Sequence, residues 1–95
     1  KADRKNHKVL FSDILYVESL KDYIKIHTKD KRFTVKNTMT AFESELPSKD
    51  FVRIHRSYVV NLNSITAYTA HDIEINSIEI PIGISYKRKV FERLN

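Results

Sequence analysis

Alternation of apolar and polar positions dominates this chain. In Phe51–His55, Val52 and Ile54 alternate with Arg53 and His55, the period of a strand with one buried face. Tyr58, Val59 and Val60 resume the apolar run and Asn61 ends it, so Arg56 and Ser57 form a sharp polar break between two strands. Tyr23–Thr28 repeats the pattern, with Ile24 and Ile26 facing one way and Tyr23, Lys25 and His27 the other. Pairing about a Lys29-Asp30 loop sets Ile26 across from Phe33, Ile24 across from Val35 and His27 across from Arg32, a register that predicts a hairpin. Residues 72–80 predict a second hairpin about Asn76-Ser77, with Ile75 opposite Ile78 and Ile73 opposite Ile80. That register opposes Glu74 to Glu79, an unfavourable pair that a cation such as Lys25 or Arg53 could offset. Val9-Leu10-Phe11 is a short apolar run broken by Ser12-Asp13, residues 14–18 follow as a second strand, and residues 65–68 suggest one more.

Two stretches change period. Met39, Phe42 and Leu46 fall at helical spacing, with Asn37 or Thr38 as cap, Thr40-Ala41-Phe42-Glu43 as a capping box and Pro47 as the stop. Tyr86, Val90 and Leu94, with Phe91 beside them, predict a last helix capped by Ser85. Lys87, Arg88 and Lys89 then occupy its first turn, where the helix end is already positive. Either this is a solvated cluster, or a phosphate sits there and turns the clash into attraction. Many short strands with two short helices predict a mainly-β domain. It would consist of small packed sheets of largely antiparallel strands, a short mid-chain helix and a C-terminal helix.

The length of 95 residues allows one core, and a hydrophobic content of 41% supplies one. Residues 1–8, charged and without an apolar run behind them, read as the end of a linker from a region further N-terminal, leaving 9–95 as the domain. The formal net charge of +5 and pI near 9.5 favour a polyanionic partner or are ordinary solubility charge. The chain has no cysteine, which excludes disulfides and thiolate metal sites. No apolar run approaches the ~20 residues of a membrane span.

Catalytic chemistry finds little footing. Gly83 is the only glycine, too few for a phosphate-cradling loop. His7, His27, His55 and His71 share no metal-ligand spacing. Glu43 and Glu45 do not face each other on a helix, and nothing orients Asp72 and Glu74 as acid and base. Ser57 follows His55 and Arg56, but sequence neighbours are not a triad. The expectation is no enzyme, no cofactor and no metal. Arg56 is either a solvated turn residue or a guanidinium aimed at an anion or a base edge.

Three motifs in order tie the chain to a family. Ile14-Leu15-Tyr16-Val17-Glu18 with Asp22-Tyr23-Ile24-Lys25-Ile26-His27-Thr28 resembles the opening of the LytTR family. The run from Phe51 to Asn61 resembles that family's most diagnostic motif, and Ile80-Pro81-Ile82-Gly83 resembles its closing one. The resemblance spans about Val9 to Leu94. It implies a mostly-β, bacterial, cytoplasmic DNA-binding output domain for transcription control in two-component systems. Loops, rather than a recognition helix, would enter the major groove. It further implies double-stranded DNA as partner, paired direct-repeat sites, homodimerisation on DNA and an N-terminal receiver or sensor region. No membrane contact by this stretch is expected.

Carried over by residue, Arg56 matches a base-contacting position, suited to bidentate pairing with guanine. The loop before Tyr23 places Asp22 against a cytosine amino group, or makes it a turn residue beside a phosphate-seeking Lys21. Ser57 matches a phosphate or backbone contact, and His55 either supports it or packs at the strand end. Arg53, Tyr86, Lys87 and Arg88 complete the phosphate-contacting or supporting set, while Asn61 satisfies a local turn through its side chain. One position departs from the family: Ile84 stands where members often carry a third, arginine base contact. Either specificity differs there, or the role passes to Lys87 or Arg88. The rival functions are a protein-interaction β module and a single-strand or RNA binder that stacks bases on Tyr16, Tyr23 and Tyr58.

Overall fold

The strand at the centre of the molecule has no exposed face over its first half. Strand β1 (Ile14–Leu20) buries Ile14, Leu15, Tyr16 and Val17 in succession, as only a strand covered on both sides does. The computed structural model describes residues 7–95; of the linker read at 1–8, residues 1–6 lie outside the described residues. The other strands are β2 (Tyr23–Thr28), β3 (Arg32–Lys36), β4 (Phe51–His55), β5 (Tyr58–Asn61), β6 (Ala67–Tyr68), β7 (Asp72–Ile75) and β8 (Ile78–Pro81). Helix α1 spans Met39–Glu43 and α2 spans Lys87–Leu94. The strands form a five-stranded sheet in the order β3-β2-β1-β5-β4 and a three-stranded sheet in the order β6-β7-β8, every pairing antiparallel. The mainly-β expectation is met.

The larger sheet is the middle layer. On one face Ile14, Val17, Ile24, Ile26, Phe51 and Val59 pack with Met39 of α1 and Leu46. On the other, Leu15, Tyr16, Val52, Ile54 and Val60 meet Ile73, Ile75 and Ile80 of the small sheet and Val90 of α2. Two bulges make this possible. Leu15 is the extra residue between the Ile14–Thr28 and Tyr16–His27 pairs, so Leu15 and Tyr16 reach the same side although adjacent. Ile54 is the extra residue between the Arg53–Val59 and His55–Tyr58 pairs.

Both hairpins have the predicted registers, including Ile26 opposite Phe33, His27 opposite Arg32 and Glu74 opposite Glu79. The Asn76-Ser77 turn has positive φ at both residues, 48° and 75°, as a tight hairpin turn requires. Neither suggested cation offsets the glutamates. Arg53 is paired with Glu43, and among the described residues Glu74 and Glu79 have no ion pair. Side-chain exposure spares them a partner, since Glu79 is exposed and Glu74 only half-buried.

Three local readings need correction. The run 9–11 is no strand: Phe11–Asp13 is a 3₁₀ turn closed by Asp13 N–H donating to the Leu10 carbonyl at 2.9 Å. Helix α1 stops at Glu43 with Ser44 as its C-cap, because the amides after Ser44 bond three residues back, Glu45 to Phe42 at 2.9 Å and Leu46 to Glu43 at 3.1 Å. Its cap is Thr38, whose hydroxyl accepts from Ala41 N–H, and no Thr40–Glu43 box forms. Ser85 does not cap α2 either. A 3₁₀ turn at Ile84–Tyr86 intervenes, and Tyr86 becomes the N-cap with no side-chain bond.

Asn61 is the one buried polar residue of the described core, 2% exposed. Its amide donates to the Ile14 carbonyl at 2.9 Å and its carbonyl oxygen caps Asn63 N–H at 2.9 Å. This is the local-turn role expected of it, and it also ties β5 to the start of β1. His27 stacks on Tyr16 with ring centroids 4.1 Å apart and bonds Glu18 through Nε2 at 3.1 Å. Burial holds its pKa below the ordinary imidazole range, although the Glu18 bond and charge pull it back up. The unfolded chain then takes up more protons than the folded one as pH falls through about 6.5. Stability in denaturant titrations is therefore expected to drop from about pH 7.5 to about pH 5.5, and His27→Gln should reduce that drop. An unchanged profile in the variant would rule His27 out as its source.

Candidate nucleic-acid interface

Three loops meet at one end of the larger sheet because backbone hydrogen bonds lash them together. The first is the β1–β2 turn, Lys21-Asp22, held by the Leu20–Tyr23 pair. Lys21 sits at φ 54°, a left-handed conformation that costs a side-chain-bearing residue about 1 kcal/mol. The second is the β4–β5 turn, Arg56-Ser57. The Ser57 carbonyl accepts from Ser19 N–H at 2.9 Å, which sets this turn beside the first. The third is the stretch from Ile82 to Ile84. Gly83 N–H donates to the Ile54 carbonyl at 2.8 Å, an acceptor made available where the bulge interrupts the ladder. A side chain at Gly83 would meet the Tyr86 ring at 2.9 Å and the His55 Cα at 3.6 Å. Glycine is needed here for room against the Tyr86 ring, which folds back over this turn, while the 3.6 Å approach to His55 is an ordinary contact.

The turn between β4 and β5 is fixed from below. Arg53 spends its whole guanidinium on it: Nε donates to the His55 carbonyl at 2.9 Å, Nη2 to the Arg56 carbonyl at 2.6 Å and Nη1 to Glu43 of α1 at 2.7 Å. Ser57 N–H donates to His55 Nδ1 at 3.0 Å. Nδ1 must then be the unprotonated ring nitrogen, which places the imidazole proton on Nε2. The His55 ring meets Tyr58 edge-on at 5.4 Å. Arg53 and His55 are thus bound up inside the protein. The side chain of Arg56 is exposed, and among the described residues it forms no hydrogen bond or ion pair. The backbone is clamped while the side chain is free, so presenting the cation to an outside acceptor leaves little backbone entropy to lose.

Beyond the third loop, α2 begins with its predicted cations. Lys87 Nζ reaches His71 Nδ1 at 3.0 Å, and the His71 carbonyl accepts from Ile82 N–H at 2.8 Å. Arg88 and Glu92 are 3.8 Å apart with both side chains largely in solvent, a pairing worth little. Tyr86 is half-buried under Gly83 and packs on the core. Lys21, Asp22, Arg56, Ser57, Tyr86, Lys87 and Arg88 are therefore distributed over one rim of adjoining loops and the helix that follows them. Tyr16 is buried, and Tyr58 packs at the edge of the same core, which leaves only Tyr23 of the suggested stacking tyrosines well exposed.

Sequence reasoning missed Glu43, Ser19 and His71 as parts of this arrangement. Glu43 lies on a helix and Arg53 on a strand, so no periodic spacing relates them. The lone glycine was the one signal available for the third loop.

A family profile described as the LytTr DNA-binding domain matches residues 4–95. The chain is 30% identical over 89 residues to the sensory transduction protein LytT of Bacillus subtilis (strain 168), covering 87% of this chain and 37% of that protein. Its identity to LytT of Bacillus anthracis is 33% over 88 residues, 86% of this chain and 36% of the relative. The transcriptional regulatory protein NatR of Bacillus subtilis is 30% identical over 73 residues, 74% and 31% of the two chains. The chain thus spans little more than a third of the curated relatives it matches. A solved LytTr DNA-binding domain, of a putative methyl-accepting/DNA response regulator from Bacillus cereus, superposes with a TM-score of 0.86 at 26% identity, covering 100% of this chain and 93% of that one.

Proposed function

Because this chain belongs to the LytTr DNA-binding domain family and is a DNA-binding domain, we propose that the rim of adjoining loops is the surface that meets double-stranded DNA and reads its sequence in the major groove. Arg56 pairs with a guanine edge through its forked donors. Asp22 accepts from a cytosine amino group, or orders the turn that carries Lys21 to a phosphate. Ser57, Lys87, Arg88 and the Tyr86 hydroxyl meet the sugar-phosphate backbone and set the docking angle. Arg53 and His55 act from beneath, as positioning residues. The domain recognises rather than catalyses. It serves as the cytoplasmic output module of a bacterial transcriptional regulator whose receiver or sensor lies N-terminal to it, and copies bind side by side on paired direct repeats.

One observation supports this above the others: the exposed, unpaired Arg56 guanidinium stands on a backbone clamped by Arg53 and Ser19. Competition between double- and single-stranded DNA at two salt concentrations tests it. Duplex should win, and log affinity should fall with log salt by ~0.9 per phosphate neutralised, a slope of roughly 3 if Lys21, Lys87 and Arg88 all contribute. Equal competition by single strands would favour stacking on exposed aromatics. Salt-insensitive behaviour with no preference for duplex would favour a protein partner.

A further inference from the structure

Ile84 is 88% exposed, while every other large hydrophobic among the described residues is 53% exposed or less. A single apolar side chain in solvent is ordinary. The placement of this one is not, because it sits on a rim whose other side chains, Lys21, Asp22, Arg56, Ser57, Lys87 and Arg88 among them, are charged or polar. Nor is it a loose loop residue. Its neighbour Gly83 is bonded to Ile54 and its own carbonyl accepts from Lys87 N–H. The Tyr86 N–H bond to Gly83, 2.9 Å, closes the same turn. A β-branched side chain on a fixed backbone has few rotamers to lose on contact.

We propose that Ile84 is a specificity residue that packs on the C5-methyl group of a thymine beside the base read by Arg56. The inference rests on the DNA reading given above and deepens it. In the major groove the thymine methyl is the one apolar feature of the four bases, and it lies on the same floor as the guanine acceptors an arginine pairs with. A flat apolar protein surface would suit Ile84 alone and leave Arg56 and Lys21 desolvated, whereas the groove suits all three. Cytosine at the same place lacks the methyl, so the contact itself is what discriminates.

Uracil substitution tests this, because it deletes the methyl and nothing else. Duplexes are first selected from a random library by the wild-type protein, and each thymine of the selected site is then replaced by uracil in turn. At one position the wild type should lose about three- to tenfold in affinity, the scale of one buried methyl group. Ile84→Ala should bind the thymine duplex as the wild type binds the uracil one, and should itself show no uracil penalty there. Ile84→Val should keep most of it. Because the side chain is in solvent, circular dichroism of both variants should match wild type. Failure to select any duplex would overturn the DNA reading and this assignment together. Selection of a site without thymine, or a flat uracil scan while binding is intact, would overturn only the assignment of Ile84. So would a penalty that persists in Ile84→Ala, which would place the methyl against another residue.

Discussion

Arg56→Ala should weaken binding to the selected duplex by about 1–3 kcal/mol, roughly 5- to 150-fold, and make the protein indifferent to one base pair. The side chain has no partner within the described protein, so its loss leaves nothing unsatisfied in the fold and thermal stability should hold. Arg56→Lys should recover part of the affinity and little of the selectivity, since an ammonium cannot match the two acceptors of guanine as a fork does. Affinity measured against a set of single base-pair substitutions separates the outcomes. A base contact gives a large loss on the cognate site and a flattened profile at one position. A phosphate contact gives a uniform loss across all sequences and a shallower salt slope. Equal affinity of Arg56→Ala and wild type for cognate and scrambled duplexes would remove Arg56 from the interface.

Arg53→Met should be comparably damaging through a different route. Arg53 never needs to touch DNA, because each of its donor nitrogens already has an acceptor in the protein. The change deletes a half-buried ion pair with Glu43 and frees the carbonyls of His55 and Arg56. Hydrogen bonds to a charged group contribute about 1.5–3 kcal/mol each at most, discounted here because Glu43 and the turn are partly in water. A stability loss of about 1–3 kcal/mol is expected in denaturant titrations. DNA affinity should fall by about tenfold or more, since a misplacement of one ångström in a preorganised group is that costly. The salt slope decides the role. It should stay at the wild-type value, whereas a lost phosphate contact would lower it by ~0.9. Glu43→Gln, which leaves Arg53 in place without its anion, should show a milder form of the same loss.

The local part of the fold was legible because its causes are local. In both hairpins the turn and the alternation on either side fix the register within a few residues, and Ile26–Phe33 and Ile73–Ile80 pair as expected. The β4–β5 turn followed equally from Val52 and Ile54 on one side and Val59 and Val60 on the other. Helix ends were less legible. Thr38 and Thr40 offer the same cap chemistry, and the choice fell to where the first turn could pack Met39 into the core. Ser85 lost its role because Gly83 and Tyr86 close a 3₁₀ turn before α2 starts.

What the order of residues determined alone is most of the strands, the registers of the hairpins and the presence of a basic, polar break carrying Arg56. Those depend on side-chain period and turn chemistry, which act over a handful of bonds. Only the tertiary structure decided that β5 lies beside β1, that a bulge frees the Ile54 carbonyl for Gly83 and that Glu43 anchors Arg53. Each of these joins residues far apart in the chain, and such pairings are selected by how two layers of side chains fill the space between them, which no one-dimensional pattern encodes. The rim proposed to face DNA exists because of those long-range choices.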